Sequence, residues 1–305
     1  MTTITLKAPA KINLTLGVLG KRADGYHELQ SVMQSVSLYD TLTLRKTEGD
    51  MVKLTVWNEA GKRLSEADGM PLDKRNLTVK AALRLSEYVG KPLGCEIELV
   101  KAIPAAAGMA GGSSDAAAVL YGLNKLYDLN LSTETLCAIG AKIGADVPFC
   151  IVGGTCLCEG IGERITKIPE TPDLNLLFIK PNVDVPTKEI FTKFDEGANL
   201  HTTDTAALLK TLRENTDLTY LCGTIGNDLE AVTIPMHPVI DEIKAYCVEN
   251  GAKAALMSGS GPTVYAIFET AEKAEIAREK AALQFPNFTV KTGKTCVFGL
   301  EEKVD

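Results

Sequence analysis

Alternating apolar and polar positions dominate the first hundred residues and predict a β-rich block. A strand is expected from about Ile4, and the stretch INLTLGVLG forms a second run with a period of two. After the polar, turn-like stretch KRADGYH, the segments SVMQSVSLYDTLTLR and DMVKLTVWN are again extended in pattern. In CEIELVKAI, Cys95, Ile97 and Leu99 fall on one face, which predicts a half-buried strand.

Helical segments follow these strands, and their ends are marked by capping residues. Helices are expected over residues 76–89, about 113–127 and about 133–143. Asn76 is a good N-cap for the first of them, and Gly90 is a good stop. The stretch VPFCIVGGTCLCEGIGERI is predicted to be a hairpin that turns at Gly153 and Gly154.

The second half of the chain contains both the alternating pattern of strands and the pattern of helices. Strands are expected in LNLLFIK, AALMS, TVYAIFE and VKTGKTCVFGL, and a helix in AEKAEIAREKAALQF. At 305 residues the chain favours two domains, and the polar, proline-containing stretch TKIPETPDLN marks a boundary. We therefore predict an N-terminal domain over residues 1–165 and a C-terminal domain over residues 166–305.

Composition and charge narrow the class of protein. With 32 Lys and Arg against 39 Asp and Glu, the net charge of −7 argues against nucleic acid as the main partner. No window approaches the roughly 18–20 apolar residues of a membrane span, and no secretory signal is visible, so a cytoplasmic protein is expected. The eight cysteines are scattered through apolar segments, which favours buried reduced thiols over a metal site.

The stretch IPAAAGMAGGSSDAAAVLYGLN, residues 103–124, carries a dense cluster of glycine and serine. Glycine permits close approach of the backbone to a ligand, and a following helix N-terminus favours an anion. A loop that only turns a tight corner is the alternative at this point. The Walker pattern is absent: TGKT at 292–295 has Phe288 where the earlier glycine is required. Val264 likewise breaks the dinucleotide-binding pattern that GSG at 259–261 would begin.

Three further stretches carry candidate chemistry. In PAKINL, Lys11 and Asn13 interrupt an apolar strand, which indicates a polar cleft; an edge-strand surface lysine is the alternative. In GADVPF, Asp146 follows a helix end and precedes a proline, as an ordinary turn aspartate also would. In MSGSGPTVYAIF, residues 257–268, glycines lie between two apolar strands, which alone would be a simple hairpin.

Taken in order, PAKINL, PAAAGMAGGSSDAA and MSGSGPTVYA resemble the three motifs of the GHMP kinase superfamily. The resemblance implies an α+β fold of two domains, with a ribosomal protein S5 domain 2-like N-terminal domain and a ferredoxin-like C-terminal domain. It implies Lys11 and Asp146 as catalytic residues, with Asp146 as the general base. It also implies ATP as cofactor, bound by Asn76 and by the loop residues Pro104, Ala105, Ala106, Ala107, Gly108, Met109, Ala110, Gly111, Gly112, Ser113 and Ser114.

The stretches KRADGYHELQSV and GADVPF resemble one branch of this family, whose substrate is a cytidine-diphosphate-linked methylerythritol. The implied reaction is ATP-dependent phosphorylation of its 2-hydroxyl, a step toward isoprenoid precursors outside the mevalonate route. By this resemblance Tyr26 stacks on cytosine, His27 hydrogen-bonds its edge and Phe191 supplies the second aromatic face. Asn13 and Thr187 complete the substrate contacts.

Mg²⁺ is expected with ATP, bound by Ser114, by Asp115, or mainly by phosphates and water. The resemblance departs at Met109 and Ala110, where many members have Leu-Gly. The alternatives are another small-molecule GHMP kinase of the homoserine or mevalonate type, a non-catalytic ligand sensor, and an RNA-binding module. The presence of Lys11 and Asp146 argues against the sensor, and the negative charge argues against RNA. The oligomeric state is left open.

Overall fold

The computed structural model describes residues 2–197, 202–214 and 217–302. Its strands are β1 Thr3–Lys21, β2 His27–Lys46, β3 Val52–Asn58, β4 Arg63–Leu64, β5 Cys95–Lys101, β6 Thr155–Gly160, β7 Arg164–Ile168, β8 Asn175–Lys180, β9 Gly226–Asn227, β10 Ala254–Met257, β11 Val264–Phe268, β12 Thr289–Lys294 and β13 Glu301–Glu302. Its helices are α1 Leu77–Val89, α2 Gly111–Leu126, α3 Thr133–Ala141, α4 Val147–Val152, α5 Thr187–Glu196, α6 Thr205–Glu214, α7 Leu218–Cys222, α8 Glu230–Met236, α9 Val239–Glu249 and α10 Ala271–Gln284, with a 3₁₀ turn at Glu66–Asp68.

The first sheet is built around a long antiparallel ribbon formed by β1 and β2. The two runs predicted from the pattern near the N-terminus are one strand of 19 residues, with register shifts at Pro9/Ala10, Asn13/Thr15 and Val18/Gly20. One end of β2 pairs with β5 and the other with β6, giving the order β13-β1-β2-β5-β3-β4 with β6 and β7 beside β2. Bulges bend and twist a strand, so one long ribbon can take part in both pairings.

Helices α1 and α2 cover one face of this sheet. The three alanines 116–118 are fully buried, and a Cβ added at Gly122 would lie 2.8 Å from the side chain of Leu44. Small residues on this face of α2 therefore let the helix approach the sheet closely. The predicted caps of α1 are confirmed: the Asn76 side chain accepts a hydrogen bond from the Thr78 amide, and Gly90 ends the helix in the left-handed conformation.

The second sheet has the order β10-β11-β8-β12, and its neighbouring strands are all antiparallel. With α10 between β11 and β12, and helices between β8 and β10, the order matches the ferredoxin-like arrangement implied by the resemblance. The α+β class is therefore confirmed. The boundary predicted between residues 165 and 166 falls within β7 and stays a prediction.

A hydrophobic cluster joins the two sheets. Ile12 and Leu14 of β1 pack in it with Met109 of the glycine-rich loop and with Tyr265 of β11. The buried Tyr265 hydroxyl also donates a hydrogen bond to the Asn13 carbonyl oxygen over 2.9 Å. The strand that carries Lys11 is thus fixed by contacts from the second sheet.

The hairpin predicted to turn at Gly153 and Gly154 is wrong. Val147–Val152 is the short helix α4, with Pro148 in its first turn, where the missing N–H of proline costs no hydrogen bond. The actual hairpin is β6 and β7, which turns after Gly160. A short apolar run such as VPFCIV does not distinguish strand from helix by its period, so the error follows from the pattern itself.

Candidate active site

A cavity of about 1330 Å³ lies between the glycine-rich loop, β1, the loop that joins β1 to β2, and α5. Its volume is large for a small-molecule site. Among the residues that line it are nearly all of those predicted from the sequence: Lys11, Asn13, Tyr26, His27, Asn76, residues 104–108 and 110–113, Asp146, Thr187 and Phe191. Two of the predicted residues, Met109 and Ser114, do not line it; both are buried.

Lys11 and Asn13 lie two positions apart on β1 and therefore point to the same side of the sheet. Lys11 is only 4% exposed, and its Nζ donates a hydrogen bond of 2.7 Å to Asn13 Oδ1. The Asn13 amide in turn donates to Ser31 Oγ over 2.8 Å. The edge-strand alternative for Lys11 is excluded, since its ammonium is buried in a polar network at the cavity wall.

The glycine-rich loop lies against β1 and leads directly into α2. The Lys11 amide donates a hydrogen bond of 3.0 Å to the Met109 carbonyl, which fixes the loop beside the lysine. The helix begins at Gly111, two residues earlier than predicted, so residues 111–113 belong to its first turn. The first amides of a helix have no intrahelical acceptor, and the helix dipole adds positive potential. The loop is built to accept an anion.

The turn of residues 258–262 packs backbone against backbone on this loop. The Ser258 hydroxyl donates to the Gly108 carbonyl over 3.0 Å, and a Cβ added at Gly259 would lie 3.0 Å from the same oxygen and 3.4 Å from Lys11 Nζ. The Asn227 amide holds the turn through the carbonyls of Met257 and Gly259, both at 2.8 Å. This segment does connect β10 to β11, but it also closes one side of the cavity.

Asp146 precedes α4 and lines the cavity. It stands at the N-cap position, yet its side chain makes no capping hydrogen bond, and it has no ion pair with Lys11 within 4.0 Å in the described part of the chain. Burial, followed by the Asp146 carboxylate, raises the pKa of the Cys150 thiol, while Lys11 acts in the opposite direction. Asp146 and Lys11 therefore both lie within electrostatic range of the same buried thiol, and the carboxylate is left available as a proton acceptor.

A buried charge cluster under the N-terminus of α2 was missed by sequence reasoning. Lys101 bonds both Asp40 and Asp115, the latter over 2.8 Å, and Asp40 also accepts the amides of Ala102 and Ile103. Burial raises the pKa of Asp115 to about 8, although the Lys101 ammonium lowers it. Burial lowers the pKa of Lys101, but the two carboxylates more than offset this and raise it overall. Lys101 and Asp115 also line the cavity, and a Cβ at Gly111 would lie 3.3 Å from Lys101 Nζ.

The loop between β1 and β2 presents Tyr26 and His27 to the same cavity. Tyr26 is 60% exposed, whereas His27 is 9% exposed and stacks on Phe191 with ring centroids 4.8 Å apart. His27 Nε2 lies 2.6 Å from Asp195 Oδ1, a residue that sequence reasoning did not single out. The signal was present, since Thr187, Phe191 and Asp195 recur every fourth residue on one face of α5.

Two predicted ligand contacts already have partners within the protein. The Asn76 side chain caps α1 and also donates to the Pro71 carbonyl over 2.9 Å. The Thr187 hydroxyl lies 2.8 Å from Ser260 Oγ, which joins the start of α5 to the turn of residues 258–262. Both residues line the cavity, and each has a defined orientation.

The cysteines and the other candidate metal ligands give no metal centre in the described residues. No group of three or more His, Cys, Asp or Glu side chains is placed there to hold an ion. All eight cysteines are free thiols, and burial raises the pKa of Cys95 to about 12 and that of Cys156 to about 11. In the same ranges no helix is long and apolar enough to cross a membrane.

Comparison with known families identifies the class. The model described as "GHMP kinases N terminal domain" matches residues 76–154, and "GHMP kinases C terminal" matches residues 198–287. Together they account for more than half of the chain, which therefore belongs to the GHMP kinase family. The chain is a kinase, with ATP as the phosphate donor and a small molecule as the substrate.

Closer relatives indicate the branch within this family. The 4-diphosphocytidyl-2-C-methyl-D-erythritol kinase of Lachnospira eligens is 42% identical over 269 residues, which is 88% of this chain and 90% of the relative. The enzyme of that name from Enterococcus faecalis is 44% identical over 271 residues, or 88% of this chain and 91% of the relative. Over most of its length the chain is therefore similar to enzymes named 4-diphosphocytidyl-2-C-methyl-D-erythritol kinase.

Crystal structures of other kinases have the same fold as this chain. A crystal structure of 4-(cytidine 5'-diphospho)-2C-methyl-D-erythritol kinase is 30% identical, with a TM-score of 0.77 over 96% of this chain and 99% of that one. A homoserine kinase from Cytophaga hutchinsonii superposes equally well, with a TM-score of 0.78, but is only 21% identical over 99% of this chain and 98% of that one. The fold alone thus does not distinguish the substrates of these kinases.

Proposed function

We propose that the protein transfers the γ-phosphoryl group of ATP to the 2-hydroxyl of 4-diphosphocytidyl-2-C-methyl-D-erythritol. The observation that carries this proposal is that the glycine-rich loop, Lys11, Asp146 and the Tyr26–His27 pair line one cavity, although they come from distant parts of the chain. An anion site and a surface for a planar base in one cavity suit a donor and an acceptor that must meet there.

The phosphates of ATP are proposed to bind at residues 104–114. The first amides of α2 supply hydrogen-bond donors there, and the helix dipole favours negative charge. Phosphoryl transfer depends mostly on positioning and on stabilising charge, and the Lys11 ammonium beside the loop supplies a fixed positive charge. Its bond to Asn13 Oδ1 sets where that charge lies.

Asp146 is proposed to be the general base. Its carboxylate lines the cavity without a partner among the described residues, so it can accept the proton of the substrate hydroxyl as that oxygen bonds to the γ-phosphorus. The bond from that phosphorus to the bridging oxygen breaks, and ADP leaves with the electron pair. The ammonium of Lys11 stabilises the transferring phosphoryl group.

The cytidine end of the substrate is proposed to bind at Tyr26, His27 and Phe191, and Thr187 to contact its more polar part. The exposed Tyr26 ring is available for stacking on a planar base, and the His27 ring is oriented by its neighbours. The residues present also fit a Mg²⁺ ion that is bound mainly by phosphates and water. Among the described residues the buried Asp115 Oδ1 has no hydrogen-bond partner, and Asp115 would supply one oxygen ligand on exchanging its proton for the ion.

Steady-state ADP release tests this proposal when it is measured with 4-diphosphocytidyl-2-C-methyl-D-erythritol, homoserine and mevalonate in parallel. Turnover is expected with the first substrate alone, and turnover only with another would overturn the assignment. Asp146→Asn should lower kcat by about 10²- to 10⁴-fold while calorimetry still detects ATP binding. The exposed Asp50→Asn is the matched control with the same change of charge. A kcat of Asp146→Asn equal to that of the control would exclude Asp146 as the base.

A further inference from the structure

We infer that Asp195 fixes the tautomer of His27 and thereby makes the site selective for a pyrimidine that carries an exocyclic amino group. This inference rests on the proposed function, because it assigns a positioning residue to the base-binding end of the same cavity. It adds a charged side chain from α5 to a recognition element that the sequence indicated only through Tyr26, His27 and Phe191.

The carboxylate of Asp195 determines which ring nitrogen of His27 carries the hydrogen. That nitrogen lies 2.6 Å from Asp195 Oδ1, and the Lys21 ammonium donates a hydrogen bond of 2.7 Å to Asp195 Oδ2. Hydrogen bonds from Lys21 and then from His27 lower the pKa of Asp195, which keeps the carboxyl group ionised. An ionised carboxylate only accepts hydrogen bonds, so the nitrogen that faces it must carry a hydrogen.

The other ring nitrogen, Nδ1, is then left as a hydrogen-bond acceptor. In a neutral imidazole with a hydrogen on Nε2, Nδ1 is an acceptor. His27 Nδ1 makes no hydrogen bond to a described residue, while the ring lines the cavity. Stacking on Phe191, with an interplanar angle of 28°, restricts rotation of the ring and holds this acceptor in one direction.

The group at position 4 of the pyrimidine determines whether the base can pair with this acceptor. Cytosine has an amino group at its position 4, whose N–H can pair with an acceptor nitrogen. Uracil has a carbonyl oxygen at the same place, which would face the Nδ1 lone pair with no proton between them. A binding site built for one hydrogen-bonding group discriminates against an analogue that leaves its partner unpaired. Leaving one such group unpaired in a buried site costs about 10- to 100-fold in affinity.

The substitution Asp195→Asn reverses this arrangement without changing the shape of the side chain. Lys21 can bond only to the oxygen of the new amide, so the NH₂ group faces His27 Nε2. Nε2 then becomes an acceptor, the ring hydrogen moves to Nδ1, and Nδ1 becomes a donor. The variant should therefore favour uracil, whereas Asp195→Ala should lose discrimination without reversing it.

The test combines nitrogen NMR of the ligand-free protein with calorimetric binding of cytidine diphosphate and uridine diphosphate. His27 signals are assigned by their loss in His27→Gln, and spectra are recorded as the pH is raised until the ring is neutral. The matched control is Glu196→Gln, which removes a neighbouring carboxylate of α5 that pairs with Lys193 at the surface. The wild type and the control should show hydrogen on Nε2 and prefer the cytidine nucleotide by about 10-fold or more.

Two results would overturn the inference, and they are distinguishable. A wild-type ring with its hydrogen on Nδ1, or a tautomer unchanged in Asp195→Asn, contradicts the role of Asp195 whichever nucleotide binds. A ring with the expected tautomer in a protein that binds neither nucleotide contradicts the proposed function, and the recognition of the base with it. A shift of the cytidine-to-uridine affinity ratio toward uridine in Asp195→Asn, absent from Glu196→Gln, supports it, because a purely structural defect would weaken both ligands alike.

Discussion

Adding one methyl group at Gly108 tests the contact between the phosphate-binding loop and the turn of residues 258–262. Gly108 has a φ of +72°, and a Cβ there would lie 2.1 Å from the Ser258 carbonyl oxygen and 3.0 Å from that of Gly261. Both neighbours are backbone atoms, so no side-chain rotation can relieve the overlap. We expect Gly108→Ala to force the loop and the turn apart.

Three free-energy contributions determine how much stability Gly108→Ala should lose. A left-handed conformation costs a residue with a Cβ about 1–2 kcal/mol, and overpacking of a close contact costs about 1–3 kcal/mol. Separation would also break the hydrogen bond from the Ser258 hydroxyl to the Gly108 carbonyl, which contributes about 0.5–1.5 kcal/mol. Together these predict a loss of about 2.5–6.5 kcal/mol, which is a large part of the roughly 5–15 kcal/mol by which proteins are typically stable.

Urea denaturation followed by circular dichroism measures this loss, and Gly112→Ala is its matched control. A Cβ at Gly112 would lie 3.7 Å from the Leu77 side chain, an ordinary contact, and the residue is helical. The control should be unchanged or up to about 1 kcal/mol more stable, since alanine favours helix over glycine. If Gly108→Ala loses less than about 1 kcal/mol relative to this control, the close approach of loop and turn does not exist and the reasoning fails.

Three further substitutions test neighbouring features. Ala110 has a φ of 56°, so Ala110→Gly should raise the free energy of unfolding by about 1 kcal/mol in the same denaturation assay; a loss would contradict the left-handed assignment. Tyr265→Phe removes the bond to the Asn13 carbonyl and should cost about 1–3 kcal/mol, whereas an unchanged midpoint would show that this bond does not stabilise the fold. Burial holds the pKa of Asp115 near 8, far above its value of 3.8 when exposed, so the folded state keeps a proton there that the unfolded chain releases. Between about pH 4 and pH 8 wild-type stability should therefore fall relative to Asp115→Asn, as thermal melting at a series of pH values can measure; a constant difference between the two proteins would exclude the raised pKa.

The elements that could be predicted from sequence are those whose ends are marked by local chemistry. Asn76 and Gly90 bound α1 as expected, and Ser132 caps α3 through the Thr135 amide. A cap is a contact between residues two or three positions apart, so the sequence alone contains it. The helix at Val147–Val152 has no capping side-chain bond, and its apolar run fits a strand as well.

The site could be predicted where a short motif carries its own chemistry, and not where charges from distant segments meet. Lys11 was recognisable because it interrupts an apolar strand, and the glycine-rich loop because strand, glycine cluster and helix follow one another directly. The pairing of Lys101 with Asp40 joins positions 61 residues apart, and that of His27 with Asp195 joins positions 168 apart. Nothing in the local pattern identifies such partners, since each carboxylate alone resembles an ordinary surface residue.

The position of Lys11 depends on the second sheet as much as on its own strand. The Tyr265 hydroxyl holds the Asn13 carbonyl, and β9 pairs in parallel with β1 at Leu16. The same short strand supplies Asn227, whose amide holds the turn that packs on the Gly108 carbonyl. The loop and the lysine belong to the first half of the sequence and are joined by a bond of their own, but contacts from the second half also hold both in place. Because phosphoryl transfer depends on that geometry, substitutions in the second sheet should lower turnover even where they touch neither ligand.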